Sequence, residues 1–444
     1  MIGSIINQIP VPKDIPLALP MPEWILVFIL ILSFLIHILF INLMIGGSIL
    51  TFWYEALGKK HNDFDRLARE IAATITVNKS LAVVFGVAPL LSINVLYTIY
   101  FYSANALTGN IWISIVPWVA VAFLLFYLHK YTWDKLADNK AVHLSILGAG
   151  VASFLFIPFI FLTNINLMLF PEKWGEINGF FDAMTLPNVF PRYFHFIAAS
   201  LAITGLFLAW WFDRKAYNTE AIFSHITKKW LNKQMLSLTL IATGIQFILG
   251  PLLFLTLPSQ GVTWTLFWVI TGGVTAAVIV LVMLWKMLNS DILLTGKQFY
   301  RVVVLFLVIV SFMGTGRHIY RENALSTHKN MMRERTAAHW EAVKLAHENL
   351  LLPEAESKAG SFSPGQSLFQ TSCAMCHAAN TRMIGPAMAE ATIIYRDNPE
   401  GLKKWIKEPG RKRMDYPAMA GFPHFTDKQL TEISEYLLQK NWDE

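Results

Sequence analysis

Residues 23–57 read EWILVFILILSFLIHILFINLMIGGSILTFWYEAL, an apolar run with a single histidine, His37, inside it. About 20 apolar residues are enough for a helix to cross the hydrocarbon core of a bilayer. This run is longer than that, so a helix built from it can tilt or project beyond the bilayer. The stretch therefore predicts the first transmembrane helix of a membrane protein.

Further apolar runs of this kind follow, and the two halves of the chain show no convincing internal repeat. The sequence predicts an all-α, polytopic bundle of about eight transmembrane helices. The predicted spans are 23–57, 76–103, 111–133, 141–170, 191–213, 234–257, 263–288 and 299–318.

The composition excludes a wholly soluble protein, because 55% of the 444 residues are hydrophobic and only 15% are charged. The charges are unevenly spread, with 33 in residues 1–316 and 33 in the much shorter segment 317–444. The second segment thus has the composition of a soluble domain. The net charge of +6 is diffuse, which argues against nucleic acid as a partner.

Lysine and arginine collect in alternate loops, and basic loops are retained on the cytoplasmic side of a membrane. Both termini and the charged C-terminal domain are therefore predicted to face the periplasm of a bacterial inner membrane. The basic loop residues are Lys59, Lys60, Arg66, Arg69, Lys130, Lys135, Lys140, Arg214, Lys215, Lys228, Lys229, Lys233, Lys286 and Lys297.

The two cysteines of the chain, Cys373 and Cys376, lie in the pentapeptide Cys-Ala-Met-Cys-His that ends at His377. Two cysteines exclude a disulfide framework, whereas C-x-x-C-H is the sequence that attaches c-type haem. The two thiols reach the haem vinyl groups and the imidazole is directed at the iron. A redox dithiol or half of a zinc site is the alternative, but no second cysteine pair completes a zinc site. The motif predicts one covalent haem c.

Residues 361–440 resemble the class I cytochrome c domain. Gly365 and Phe369 have the spacing of that family's first helix, and residues 384–386 (IGP) resemble its loop after the haem. Residues 419–427 (MAGFPHFTD) resemble its sixth-ligand segment and the start of its last helix, with Ala420 in place of the common proline. The resemblance predicts a small α-helical domain.

Met419 is the predicted second axial ligand, because a thioether is soft enough for haem iron and raises its potential relative to a second histidine. Met414 is the alternative, and either methionine could instead pack in the core.

Residues 320–351 are charged and free of proline and glycine, which predicts a helix leaving the membrane, and residues 353–364 have the composition of a linker. The predicted domains are a membrane domain (1–319), a connecting helix and linker (320–360) and a cytochrome domain (361–444).

Histidines inside spans indicate function, because polar groups are unfavourable in the bilayer. His37, His195 and His318 lie in the outer halves of their predicted helices and are candidate ligands of haem b. His129 and His143 lie near inner helix ends, where we expect interfacial residues.

Two arginines accompany these candidates. Arg192 lies one helical turn before His195, and Arg317 adjoins His318. Each could neutralise a haem propionate through charge-assisted hydrogen bonds. Extension of the side chain to the interface is the alternative role.

The membrane part resembles subunit I of the cytochrome bd quinol oxidases over about residues 25–320. The resemblance implies that His37 binds a haem at the oxygen-reactive site and that His195 binds the low-spin haem b. Its segments are residues 37–42 (HILFIN), 133–136 (WDKL), 192–198 (RYFHFIA) and 316–318 (GRH).

The departures from that family concern oxygen chemistry. Where the oxidases have acidic residues, this chain has Asn94, Ser114 and Gly314. The long outer quinol loop is reduced to residues 258–262, and the methionine partner of the low-spin haem is missing. His318 is a possible replacement opposite His195.

The leading interpretation is a membrane-bound cytochrome that exchanges electrons between quinone or quinol and a periplasmic cytochrome or other redox protein. It would use one or two non-covalent haem b groups and the haem c, and the resemblance implies additional membrane subunits. The direction of electron flow is open. The alternatives are a terminal oxidase fed by cytochrome c and a membrane anchor without haem b.

Overall fold

The computed structural model of the chain describes residues 19–290, 296–351 and 363–442, without the side chains of residues 75–81 and 346–351. These residues form helices joined by loops, and none of them lies in a strand. The predicted all-α fold class is confirmed. Most of the predicted linker 353–364 lies outside the described residues.

The helices of the first part of the chain are named here in chain order. They are α1 (Glu23–Gly58), α2 (Asn62–Leu96), α3 (Thr98–Ile113), α4 (Ile115–Thr132), α5 (Lys140–Leu167), α6 (Phe180–Met184), α7 (Val189–Asp213), α8 (Thr219–Ile222), α9 (Lys228–Leu255), α10 (Trp264–Leu288) and α11 (Gly296–Leu351).

Seven helical stretches of the described chain are long and apolar enough to cross a membrane, and the described apolar part of α2, Ala82–Leu96, is shorter. The chain is therefore a multi-pass membrane protein. The seven are Glu23–Gly58, Thr98–Thr132, Lys140–Leu167, Val189–Asp213, Lys228–Leu255, Trp264–Leu288 and Gly296–Leu345.

The predicted second span, 76–103, is interrupted at Tyr97, whose backbone is not helical (φ −128°, ψ 37°). The chain then turns sharply at Gly109 (φ 52°, ψ −125°), a conformation that favours glycine. A Cβ at Gly109 would meet nothing within 4 Å, so the requirement for glycine there is conformational and not steric. This turn lies between the predicted spans 76–103 and 111–133.

Helix α1 lies at the centre of closely packed helices, against α2 on one side and α7 on another. Gly46 permits the second contact, because a Cβ there would lie 2.2 Å from Thr204 Oγ1. Polar side chains reinforce it: Ser200 donates to Asn42 Oδ1 (2.9 Å) and Thr204 donates to the Asn42 carbonyl (3.0 Å). Small residues and hydrogen bonds of this kind hold helices together where the surrounding lipid is as apolar as the side chains.

Helix α11 continues unbroken for 56 residues, so the predicted span 299–318 and the predicted connecting helix 320–351 are one element. The last glycine in it is Gly316, and nothing after that position interrupts the backbone hydrogen bonds. The predicted domain boundary at 319/320 therefore lies inside a helix. The chain forms two compact units, Met1–Ala342 and Val343–Glu444.

The C-terminal unit has its own apolar core, which includes Phe369, Leu402 and Ile433. Its described helices after α11 are α12 (Pro364–Ser372), α13 (Met388–Ile393), α14 (Pro399–Lys407) and α15 (Asp427–Gln439). Thr426 and Gln429 form a reciprocal capping box at the start of α15, which satisfies backbone donors there.

Candidate functional site

The cysteine motif follows directly after α12, as a tight turn. The Cys373 amide donates to the Phe369 carbonyl (2.9 Å), and the His377 amide donates to the Cys373 carbonyl (3.0 Å). Cys373 is buried, Cys376 is half-buried, and neither is in a disulfide. Burial, together with the neighbouring Cys376, raises the pKa of the Cys373 thiol to about 11. A buried sulfur of this kind suits an uncharged thioether.

The ring of His377 is fixed from two sides. Its Nδ1 donates to the Pro386 carbonyl (2.9 Å), which leaves the lone pair on Nε2 available for a metal. Gly385 lies against the ring, since a Cβ there would be 2.4 Å from Cε1 of His377. The Gly385 amide in turn donates to the Cys376 carbonyl (2.8 Å). The predicted loop 384–386 thus orients the predicted iron ligand.

Several large apolar side chains of the C-terminal unit are exposed, Met375 among them at 77%. A soluble domain of this size rarely exposes so many large apolar side chains unless something covers them. Haem is a flat apolar group, and the residues present fit it. The others are Met383, Ile384, Ile393, Ile394 and Met414.

The two candidate sixth ligands differ in their surroundings. Met419 is half-buried, whereas Met414 is 79% exposed. The Met414 carbonyl accepts a hydrogen bond from Arg411 (3.2 Å), which holds the backbone of that segment.

In the membrane unit, His195 has an unusual environment. Both of its ring nitrogens are buried, and neither has a hydrogen-bond partner among the described residues. A buried polar atom without a partner is unfavourable by about 1–3 kcal/mol. The imidazole therefore fits a site where a metal takes one of its nitrogens.

Arg192 lies one turn before His195 and is positioned by Asn188. Its Nε donates to Asn188 Oδ1 (2.8 Å), and the Asn188 amide donates to the carbonyl of Leu253 (2.7 Å). Asn188 adopts a left-handed conformation (φ 76°) at the start of α7. The sequence did not show this connection to α9.

Arg317 stacks on the ring of Phe34, with 4.9 Å between the guanidinium carbon and the ring centre. The charged groups that act on it electrostatically are other cations, Arg321 and Arg192. Neither Arg192 nor Arg317 has a carboxylate partner in the part of the chain that the structure describes. We name Arg192, Arg317 and Arg321 the arginine cluster, and its charge fits an anionic group such as a haem propionate.

The tautomer of His318 follows from its neighbours. Tyr97 donates its hydroxyl proton to Glu322, so its oxygen can only accept from His318 Nδ1, 3.3 Å away. The Nε2 lone pair of His318 therefore remains available. Glu322 also pairs with Lys329, which completes a polar network that the sequence did not predict.

His37 is half-buried and has a similar arrangement. Its Nδ1 donates to the Ala82 carbonyl (2.9 Å) on α2, and its Nε2 is left available. Gly86 lies against the ring, since a Cβ there would be 2.8 Å from the ring carbon Cε1. The contact between α1 and α2 thus fixes the orientation of this histidine.

None of the three positions without acidic residues forms a side-chain contact with a charged group in the hydrogen bonds and close approaches of the described residues. Asn94 Oδ1 is buried without a partner among the described residues. Ser114 donates to the Ile111 carbonyl within its own turn (2.7 Å), and a Cβ at Gly314 would contact Leu35.

His129 and His143 are buried, not interfacial as we expected from their positions near helix ends. They are 1% and 0% exposed, and both contact Glu55. Sequence alone missed the cluster because Glu55 lies more than 70 residues from each histidine.

Residues 362–441 match the family model described as Cytochrome c. The solved structure "The structure of bd oxidase from Geobacillus thermodenitrificans" is similar in fold, with a TM-score of 0.50 and 14% sequence identity. The match covers 74% of this chain and 97% of that one. No curated protein is significantly similar in sequence to this chain. The chain is thus a membrane redox cytochrome, in which a haem c domain follows a helical bundle with the fold of a bd oxidase chain.

Proposed function

We propose that the protein exchanges electrons between the membrane quinone pool and a periplasmic redox protein. In this proposal His195 and His318 bind a low-spin haem b in the outer half of the bundle. The haem c is bound by Cys373, Cys376 and His377, with Met419 as its second axial ligand. Both termini and the cytochrome domain face the periplasm.

The observation that carries the proposal is that both ring nitrogens of His195 are buried without a partner among the described residues, one turn from the arginine cluster. A protein that served only as an anchor for the cytochrome domain would have no need of such a residue. The Nε2 of His318 is available in the same unit, which supports axial ligation by two histidines.

Haem, when bound, supplies one-electron oxidation and reduction. The residues of the chain contribute binding and electrostatics. Thioether bonds to Cys373 and Cys376 would retain the haem c, and the arginine cluster would stabilise propionates in a region of low dielectric constant. His37, with an available Nε2, could hold a second haem b.

Reduction of oxygen to water requires proton delivery to the oxygen site. At the three positions where the bd oxidases have acidic residues, this chain has side chains without a titratable proton, namely Asn94, Ser114 and Gly314. The absence of acidic residues there favours electron transfer over oxygen reduction. The proposal includes additional membrane subunits and holds for either direction of electron flow.

The test is a redox-titrated spectrum of the purified protein, followed by mixing with a short-chain quinol without oxygen. We expect a haem b signal beside the haem c signal, and reduction of haem c by quinol in the wild type but not in His195→Ala. Haem c without any haem b would establish the anchor alternative.

The oxidase alternative has its own signature. Rapid oxygen consumption with quinol or reduced cytochrome, together with a high-spin haem that binds carbon monoxide, would overturn the proposal. The control for His195→Ala in the quinol experiment is His225→Gln, because His225 is an exposed histidine.

A further inference from the structure

A buried cluster of two histidines and one glutamate lies in the membrane unit, away from the outer haem candidates. Glu55 is near the end of α1, His129 is near the end of α4, and His143 is in the first turn of α5. All three side chains are at most 1% exposed. Their ligand atoms, a carboxylate oxygen and two ring nitrogens, lie within 4.8 Å of one another.

The hydrogen bonds fix which nitrogen of His143 faces the carboxylate. His143 Nε2 is 2.9 Å from the His129 carbonyl oxygen, which can only accept, so Nε2 carries the proton. The Nδ1 of a neutral His143 then directs a lone pair at Glu55 Oε1. His129 Nε2 lies 2.7 Å from the other oxygen, Glu55 Oε2. His143 Nδ1 and Glu55 Oε1 therefore direct lone pairs at each other, and a cation is needed between these two atoms.

No lysine or arginine supplies that cation among the described residues. Lys140 is paired with Asp65 (2.6 Å), and Arg69 is paired with Asp134 (2.8 Å). An isolated carboxylate is strongly unfavourable in a buried, apolar site. The positive charge must therefore be either a proton or a metal ion held by the three side chains.

We propose that Glu55, His129 and His143 bind a divalent transition-metal ion. Two imidazoles and one carboxylate are a donor set that zinc and its neighbours in the first transition series accept. The bond from His143 Nε2 to a backbone carbonyl is the outer contact that orients a metal-bound histidine. Trp133 packs edge-on against both imidazoles, with ring centres 4.9 and 5.0 Å away, and shields them from water.

The ion would join three helices at the end of the bundle opposite the haem candidates. It is independent of the proposed electron transfer, since none of its ligands belongs to the candidate haem sites. Loss of the ion is therefore expected to leave the spectra of haem b and haem c unchanged.

The test measures metals other than haem iron in the purified full-length protein. The protein is first loaded with Zn²⁺ and then dialysed against metal-free buffer. We expect about one zinc per chain to remain, removable by a strong chelator. Affinity should fall at least about tenfold in His143→Gln and in Glu55→Gln. The matched control is His225→Gln, an exposed histidine, which should retain the zinc.

Thermal unfolding gives a second readout that does not depend on the variants. Zinc restored to the chelated wild type should raise its midpoint, because a ligand that binds the folded state stabilises it. A wild type that neither retains zinc nor gains stability from it would overturn the proposal and assign the charge to a shared proton. Equal zinc in His143→Gln with normal haem spectra would overturn it as well.

Discussion

The candidate haem ligands differ in how their ring nitrogens are held. His377 and His37 each donate one nitrogen to a backbone carbonyl, of Pro386 and Ala82 respectively, and keep the other available. His318 is set by the hydroxyl of Tyr97. His195 has no such partner among the residues that the structure describes. Its orientation must come from packing alone, so it is the residue whose environment changes most when a metal binds.

Substitution of His195 tests its assignment directly. In His195→Ala we expect low-spin haem b to fall below about a tenth of its wild-type content, because a first ligand is lost. Haem c should stay intact, since Cys373, Cys376 and His377 belong to the other compact unit. Pyridine haemochrome spectra count both types. An unchanged b spectrum would remove His195 from the site.

Gly385 offers a test of how the His377 ring is oriented. In Gly385→Ala the new Cβ would lie 2.4 Å from the imidazole, so the ring must move. We expect an altered haem c potential and a loss of roughly 1–3 kcal/mol in domain stability. Redox titration and thermal unfolding measure the two effects.

The control for this substitution is Gly410→Ala, where a Cβ would make an ordinary contact with Trp405 at 3.5 Å. Its potential and stability should match those of the wild type. If both variants behave alike, the contact between Gly385 and His377 has no part in positioning the ring.

At the scale of helices, the packing of α1 against α7 determines where the candidate ligands lie. His37 belongs to α1 and His195 to α7, and the two helices approach closely at Gly46. A methyl group added at Gly46 would push the two helices apart and would therefore change the separation between the two histidines.

Gly46→Ala is expected to destabilise the membrane unit by about 1–3 kcal/mol through overpacking. A Cβ there would lie 2.2 Å from Thr204 and 2.5 Å from the Ser200 carbonyl. Loss of haem b absorbance on heating would report the lower midpoint. Gly250→Ala, with nothing within 4 Å of its Cβ, should be neutral, and an equal shift in both variants would contradict the steric argument.

The sequence predicted those features that depend on local composition. The helical fold class and the apolar spans follow from runs of apolar residues, and the cytochrome domain follows from a five-residue motif. The helix over residues 320–351 was predicted from the absence of proline and glycine, but the change in composition near residue 317 concealed that it continues the last apolar span without a break.

The remaining features depend on contacts between distant residues. The break at Tyr97 accompanies a bond to Glu322, and Arg192 is positioned through Asn188 by the end of α9. The cluster of Glu55, His129 and His143 joins three helices. None of these leaves a periodic signal, because each is created by packing in three dimensions.

At the scale of the whole molecule, two compact units each have their own core. The C-terminal core centres on residues such as Ile433, which is fully buried. A domain with its own core can fold independently of its neighbour.

We expect residues 361–444, exported to an oxidising compartment with haem c maturation, to give a soluble cytochrome c. Ile433→Asp should reduce its yield severely, because a buried charge in place of a core side chain is unfavourable by several kcal/mol, roughly 3 or more. Absorbance of haem c in the soluble fraction measures the outcome.

The matched control is Lys428→Asp, which introduces the same side chain at an exposed position of α15. It should yield as much soluble haem c as the unmodified domain. If the unmodified domain gave no soluble haem c, its folding would require the membrane unit.

The arginine cluster has a consequence for how the protein is made. Before any anion arrives, Arg192 and Arg317 are like charges for which the described part of the chain offers no carboxylate partner, in a bundle surrounded by lipid. Such a bundle would remain loosely assembled until its cofactor enters, because the ligand contributes directly to the stability of the folded state. Chains that never receive a cofactor would then stay open to membrane proteases, so the same charges that bind the group would also act as a quality check on biogenesis.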